Sequence, residues 1–528
     1  MDDIFIIGGG INGCGIARDA AGRGLSVTLA EKADLAQATS SASTKLFHGG
    51  LRYLEYFEIR LVREALEERE TLLRAMPHIS WPMRFVLPLS PEMRFDTDTP
   101  AARVLNTVMP WMKGRRPSWM IRAGLMLYDN LGGRRILPGT RKLDLANDPA
   151  GQALQTHFHA AFEYSDCWVQ DARLVVLNAR DAESQGAKVM TRTEVISTTR
   201  QGDHWDITCR AEDGTETTHQ ARLLVNAGGP WVADVLGRVA RVNAKDSVRL
   251  VRGSHIVTRK LFAHDRAYFF QGTDGRIIFA IPYEQDFTLI GTTDADHPAP
   301  DQKPECTEEE ADYLLDFATQ YFRSPVTRAD IVWSYSGVRP LYDDGATSAT
   351  AATRDYVLRL DQSAAPLLSV FGGKITTYRR LAEHALEKIG EALPVPGKPW
   401  TAGATLPGGD IEVTEVPAAT EALTRRYPFL DLAQAERLFR CYGTEVPEIF
   451  GTAQSRADLG RDFGGSLSEA EVVWLMDREY ARSAEDILWR RTKLGLRLSP
   501  EEASEVDAFA RARQQENREA PQREEAVH

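Results

Sequence analysis

The chain opens on a short apolar run, Ile4 to Ile7, that enters the glycine cluster of DIFIIGGGINGCG. A helical stretch over 16–23 and a second apolar run over 25–30, ending at Glu31, follow. This order predicts a strand–turn–helix–strand unit. Residues 56–76 place Ile59, Val62, Leu66, Leu73 and Met76 at helical spacing with charges between, and predict an amphipathic helix. From about 161 to 371 the pattern changes. GAKVMTRTEVIS, ARLLVNAGGPW, SHIVTRK, RIIFAIPY and FTLIGTTD are short apolar runs between turns and predict a sheet-rich region. Helical spacing returns over 371–389, after a Gly-Gly pair. LPVPGKPWTAGATLPGGD, over 393–410, is rich in proline and glycine and predicts a domain boundary. Helices are expected from about Pro417 onward. The stretch after Glu501 is rich in Glu, Arg and Gln with few large apolar residues, and its end is expected to be frayed or disordered. No internal repeat is visible.

Composition narrows the class. With 528 residues, 43% hydrophobic and 26% charged, the chain has the profile of a soluble protein with a large core. A net charge of -12 argues against nucleic acid as a partner, because phosphate backbones select basic surfaces. No window approaches about 20 apolar residues, so no bilayer-spanning helix is expected. The start, Met1-Asp2-Asp3-Ile4-Phe5, has no basic region and predicts no signal peptide. Cys14, Cys167, Cys209, Cys306 and Cys441 are scattered and form no C-x-x-C pair, which fits a reducing compartment and argues against a metal site.

Gly8-x-Gly10-x-x-Gly13 lies between a predicted strand and a predicted helix. Gly8 permits a tight turn, Gly10 lets backbone approach a pyrophosphate, and Gly13 lets the helix pack on the strand. Glu31, at the end of the second strand, stands where an acid accepts ribose hydroxyls. The pattern predicts a dinucleotide site and leaves NAD and FAD open. The next polar segment is ATSSASTKLFHGGLRY, over 38–53. It carries Thr39, Ser40, Ser41 and Ser43, then Lys45, His48, Gly49, Gly50, Arg52 and Tyr53. Hydroxyls and open backbone suit a long polar cofactor, and a Ser-rich surface loop is the plain alternative.

A fingerprint followed by this Ser/Thr segment and Lys-x-x-His-Gly-Gly resembles the flavoproteins of the D-amino-acid-oxidase type. The resemblance implies FAD, bound without a covalent link. It implies contacts from the turn residues Gly8, Gly10, Ile11, Asn12 and Gly13, from Glu31, and from the 39–50 segment. It also implies contacts from Val195, from Ala227 and Gly228 in LVNAGGPW, and from Gly372, Gly373, Lys374 and Thr376 in FGGKITT. A helix amino terminus after that last motif is expected near the flavin.

Arg52, Tyr53, His255, Arg339, Arg354 and Lys374 are the candidate substrate groups. Any single arginine is more often a solvated surface residue. Four cations beside turns and strand ends point to a phosphate dianion rather than a carboxylate. SASTKLFHGGLRYLEYFEIRLVREALEERE, RGSHIV, IGTTD, YSGVRPL, TRDY, FGGKITTYRRLAEHALEKI and the late run EYARSAEDILWRRTKLGLRL resemble the respiratory FAD-dependent sn-glycerol-3-phosphate dehydrogenases, over nearly the whole chain.

The resemblance implies a mixed α/β fold. A Rossmann-like FAD-binding domain, with segments at about 1–75, 160–245 and 330–390, is interleaved with a sheet-rich substrate domain within 1–392. A linker over 393–410 and a helical C-terminal domain over 411–528 follow. The implied reaction takes sn-glycerol 3-phosphate to dihydroxyacetone phosphate, with electrons passed to a membrane quinone, ubiquinone or menaquinone. Arg52, Arg354 and Lys374 would bind phosphate. His255 would accept the C2 hydroxyl proton, since its ordinary pKa is near neutrality, and Arg339 would stabilise alkoxide charge. A structural histidine is the plain reading of His255. The family further implies a homodimer lying peripherally on the cytoplasmic face of the inner membrane. MPWMKGRRPSWMIRAGLMLYDNL, over 109–131, joins Trp111 and Trp119 to Lys113, Arg115, Arg116 and Arg122 and fits an anionic lipid surface; a core helix with a solvated basic turn is the alternative. An oxidase passing electrons to oxygen, an amino- or hydroxy-acid oxidase, and a flavoprotein without turnover are the rival readings.

Overall fold

A computed structural model describes residues 1–90, 99–100, 117–242, 247–272, 276–343 and 355–525. The first strand, β1 (Asp2–Ile7), leads through the glycine turn into helix α1 (Ile11–Gly22), which returns to β2 (Val27–Ala30). β1 pairs in parallel with β2 on one side and with Glu216–Asn226 on the other. Gly8 turns at φ +113°, where a side chain is strained, and a Cβ on Gly13 would sit 1.9 Å from the Gly8 carbonyl oxygen. Helix and strand touch here through bare backbone, as the fingerprint requires. α1 carries small residues, Gly13, Ala17, Ala20 and Ala21, and lies buried against the helices Asp171–Ser184 and Tyr378–Ile389. Leu367–Phe371 and Lys188–Met190 extend this sheet in parallel, Val357–Asp361 closes one edge antiparallel, and Thr193–Ala211 forms a hairpin beside it.

A second sheet of ten strands stands beside the first. Its centre is the long pairing of Val248–Arg259 with Ile331–Tyr342, which sets His255 opposite Tyr335 and Arg339 opposite Val251. The chain crosses between the sheets several times, so the two layers interleave. The region expected to be sheet-rich also holds the helices Asp171–Ser184 and Glu308–Tyr321. The second opens on a capping box in which Thr307 and Glu310 satisfy each other's backbone amides. The helix expected over 371–389 starts at Tyr378, because Ile375–Thr377 makes a tighter 3-10 turn first.

Residues 393–410 do not hang free. Leu406 donates to the Ala75 carbonyl at 2.8 Å, and Trp400 lies under Arg18 at 4.9 Å. Beyond them, helices Val416–Arg426, Leu432–Tyr442, Glu469–Arg478 and Pro500–Glu525 enclose their own core around Phe439, Leu467, Val472 and Leu475. The end of the tail, where fraying is expected, reaches beyond the described residues. Residues 500–525 form a helix, anchored where Val506 and Ala510 are fully buried in that core. Low mean hydropathy over the segment hid the few apolar positions that dock it. The five cysteines are free.

Candidate active site

Where the two sheets meet lies a cavity of 1930 Å³. Its walls include Gly8, Gly10, Ile11, Asn12, Glu31, Val195, Ala227 and Gly228 from the first sheet. The segment after β2 adds Thr39, Ser40, Ser41, Ser43, His48 and Gly50, and the later turn adds Gly372, Gly373, Lys374 and Thr376. The α1 amino terminus opens into it, and its N-cap, Gly10, has no side chain to close it. Asn12 donates to the Gly372 carbonyl at 3.1 Å, while its Oδ1 is buried without a protein partner. An orphaned buried acceptor at the mouth of a helix dipole calls for a polar ligand with donors of its own. Glu31 accepts the amides of Gly9 at 2.6 Å and Ala33 at 2.9 Å, and burial raises its pKa. The cavity holds 1930 Å³ and is lined in part by the bare backbone of Gly8, Gly9 and Gly10. It fits a dinucleotide.

The hydroxyl-rich segment works differently from the expectation. Its side chains mostly bind the protein. Ser40 Oγ accepts the Ile11 amide at 3.0 Å, Thr39 donates to the Val338 carbonyl at 2.6 Å, and Ser43 donates to Asp171 at 2.7 Å. They pin the loop along the cavity rather than standing open. Three residues expected at the cofactor are absent from the cavity wall. Gly13 lies behind Gly8, in the helix–strand contact. Gly49 is packed on Leu66 and gives its amide to the Tyr128 hydroxyl at 2.7 Å. Lys45 is fully buried, with its ammonium 2.8 Å from Asp171. The expectation for Lys45 is corrected: its charge is spent on a carboxylate behind the wall.

The same cavity is lined by Arg52, Tyr53, Lys374, His255 and Arg339. Lys374 sits 4.0 Å above the Tyr53 ring, a cation–π contact. Arg354 lies outside the described residues. His255 is 1% exposed. Its Nε2 is 2.9 Å from Thr44 Oγ1, its Nδ1 is buried without a partner, and its ring stacks on Tyr335 at 4.8 Å. Burial first, then the positive charges of Arg339 and Lys45, hold its pKa well below the usual value. The ring is therefore neutral near pH 7. The Arg339 guanidinium is held by an ion pair to Asp294 and by Thr292 Oγ1 at 3.1 Å. Thr292 and Asp294 belong to IGTTD, and Thr44 to the Ser/Thr segment; both motifs were visible in sequence, but these contacts were not.

The C-terminal domain supplies a further wall. Glu485, Trp489, Arg490 and Lys493 line the same cavity. Trp489 stacks on Trp333 at 4.5 Å, Trp333 lies 4.9 Å from Tyr335, and so a row of rings reaches His255. No sequence argument above gave this domain a place at the site.

The model of the FAD dependent oxidoreductase family matches residues 3–379, and that of the C-terminal domain of alpha-glycerophosphate oxidase matches residues 400–516. The chain belongs to the FAD-dependent oxidoreductases. FAD is accordingly the cofactor. Among similar members of the family is a D-erythritol 1-phosphate dehydrogenase of Brucella abortus, 50% identical over 97% of this chain and 98% of its own length. A glycerol-3-phosphate dehydrogenase of Pseudomonas aeruginosa is 49% identical over 94% of this chain and 93% of its own. The glycerol-3-phosphate dehydrogenase of Bacillus halodurans, solved with FAD, shares the fold with a TM-score of 0.71 at 24% identity, over 96% of this chain and 93% of that one. The family thus agrees with the flavoenzyme that the resemblance over the Ser/Thr segment and Lys-x-x-His-Gly-Gly implied, and the fold with the mixed α/β architecture.

Proposed function

We propose that this flavoenzyme oxidises the C2 hydroxyl of sn-glycerol 3-phosphate, giving dihydroxyacetone phosphate, and passes the electrons to a membrane quinone. The observation that carries the reading is the meeting of Arg52, Lys374, His255 and Arg339 in the FAD cavity. Bound in this cavity, FAD would supply a two-electron acceptor for the hydrogen at C2. Arg52 and Lys374 meet the phosphate, with Arg354 as the third cation expected from sequence. The Tyr53 ring steadies the Lys374 ammonium. His255, kept neutral by its surroundings, takes the hydroxyl proton at a ring nitrogen, and Thr44 fixes the ring plane. Arg339, aimed by Asp294 and Thr292, stabilises negative charge developing on the C2 oxygen.

A second reading differs only in the polyol. The 50% identity to a D-erythritol 1-phosphate dehydrogenase supports a four-carbon polyol phosphate as substrate. The relatives' names as dehydrogenases speak against oxygen as electron acceptor, and the quinone is the acceptor that the resemblance implies.

Membrane contact belongs to the same proposal. No helix among the described residues is long and apolar enough to cross a bilayer. The helix Ser118–Leu131 instead turns Trp119, 58% exposed, and Met126, 68% exposed, to solvent, together with Leu127. Such a face, with Arg122 beside it, suits the headgroup layer of the inner membrane's cytoplasmic side. Trp111, Lys113, Arg115 and Arg116 lie outside the described residues.

The test is anaerobic mixing of the yellow holoenzyme with sn-glycerol 3-phosphate or D-erythritol 1-phosphate. Bleaching of the flavin band by the first, reversed faster by a short-chain quinone than by oxygen, is expected. Bleaching by the second alone reassigns the substrate. Reversal mainly by oxygen replaces the dehydrogenase reading with an oxidase. A band that neither compound bleaches removes the polyol phosphates.

A further inference from the structure

Buried cations in this protein come with carboxylates. Among the described residues, nine lysines and arginines are buried, and eight of them have a carboxylate within 4.0 Å. Lys45 has Asp171, Arg173 has Glu479, Arg379 has Glu68 and Arg491 has Asp34. The ninth is Lys493. It is 6% exposed, and no carboxylate stands within that distance among the described residues. A buried ammonium without a counter-charge is strongly unfavourable, and such groups either lose the proton or meet an anion.

Lys493 is also the buried, unpaired cation that lines the FAD cavity. Its backbone is left-handed, φ +61°, a strained state for a lysine, and its ammonium donates to the Trp489 carbonyl. The turn that carries it is fixed from both sides. Arg490 and Arg491 clasp Asp34, just beyond β2, and the Trp489 indole stacks on Trp333. The row Trp489, Trp333, Tyr335 and His255 links this turn to the candidate catalytic histidine. The groups facing Lys493 come from four places. They are Lys45 in the hydroxyl-rich segment, Asp171 at a helix start, Glu284 in a hairpin turn, and Arg490 on its own turn.

We propose that Lys493 is a substrate-anchoring residue whose ammonium pairs with the phosphate of the substrate, so that the C-terminal domain completes the active site. This rests on the polyol-phosphate reading above. The substrate dianion supplies the counter-charge the protein withholds. Burial, then the charge of Lys45, lowers the Lys493 pKa to about 7, with Asp171 and Glu284 opposing. The protonated form binds the anion. Affinity therefore falls as pH rises above 7, and binding at pH 8 draws a proton in.

The experiment compares the wild-type holoenzyme with Lys493→Met and Lys493→Arg, using a dye acceptor between pH 6 and 9. Lys493→Met should raise KM for sn-glycerol 3-phosphate about tenfold or more at pH 7, with kcat changed less than about threefold and FAD content unchanged. Lys493→Arg, which stays charged, should keep KM within about threefold and lose the fall in kcat/KM above pH 7. A KM and pH profile in Lys493→Met equal to wild type overturn the proposal. So does loss of FAD with an unchanged KM, which assigns the ammonium to the cofactor's own pyrophosphate. Proton uptake by the wild type on binding inorganic phosphate at pH 8, followed with an indicator, needs no variant to fold. About one proton per site is expected, and none overturns the proposal. Wild-type enzyme that binds phosphate with proton uptake, yet is not bleached by either polyol phosphate, fails the functional reading and leaves the anchor standing.

Discussion

His255 and Arg339 illustrate how single residues acquire chemistry from their neighbours. An imidazole in a strand is unremarkable until burial, Arg339 and Lys45 push its pKa down and leave it a neutral acceptor. An arginine facing a cavity is a general cation until Asp294 and Thr292 aim it. The carboxylate also moderates it, so that Arg339 offers oriented donors more than free charge. Arg339→Ala is expected to lower kcat about 100-fold or more while FAD stays bound, as removal of an oriented donor to a developing oxyanion does. Near wild-type dye reduction by a yellow Arg339→Ala protein would exclude the role. Lys45 shows the opposite outcome. A lysine in a cofactor-like motif is consumed by Asp171 at 2.8 Å, and no property of the motif distinguishes the two fates.

The helix Ser118–Leu131 has two faces that do separate work. Outward, it shows Trp119, Met126 and Leu127 to solvent. Inward, the Tyr128 hydroxyl accepts the Gly49 amide at 2.7 Å and donates to Asp166 at 2.8 Å, and Asp166 pairs with buried Arg69 at 2.6 Å. The element proposed to meet lipid is therefore bonded to the loop beside the cofactor. Replacing Trp119 and Leu127 together by glutamate should cut co-sedimentation with phosphatidylglycerol vesicles about tenfold or more, through lost burial and added like charge. Added salt should weaken the wild-type contact, because the lipid charge is screened. Unchanged sedimentation of the double variant would remove this helix from the membrane surface.

Across the whole molecule, buried ion pairs fasten the C-terminal domain to the cofactor domain. Arg490 and Arg491 reach Asp34, Arg173 reaches Glu479, and Arg192 meets Asp486. These contacts set the turn carrying Trp489 and Lys493 against the cavity. Asp486 is held at a pKa of about 2, below its usual 3.8: burial raises it, but Arg192, Arg490 and backbone amides outweigh that effect. A depressed carboxylate stabilises the fold above its unfolded pKa and loses that contribution as pH falls through the folded value. The shift corresponds to about 2 kcal/mol. Asp486→Asn should cost at least about this much in urea unfolding at pH 6, with the gap to wild type closing toward pH 2. A gap independent of pH would show that Asp486 contributes by shape alone.

The dinucleotide turn was legible in the sequence because backbone sterics dictate it locally. Gly8 needs a positive φ, Gly13 needs no Cβ, and both demands are written at fixed spacing between two apolar runs. The amphipathic helix Ile59–Ala75 was legible for a similar reason, since one stripe of apolar residues repeats with the helical turn. The gathering of Arg52, His255, Arg339 and Lys374 followed from motif resemblance, Arg52 and Lys374 flanking the glycine turns that the resemblance assigns to the flavin. Only the tertiary structure decided the rest. Whether a hydroxyl or ammonium faces cofactor or carboxylate depends on which distant segment packs behind it. Asp171 captures Lys45 and Ser43 across more than 120 residues of chain. The tail became a helix because Val506 and Ala510 found a core. Lys493 reached the cavity because Asp34, 459 residues earlier, holds the turn beside it. Local sterics are encoded where they act; charge pairing is encoded in two places at once, and only folding brings them together.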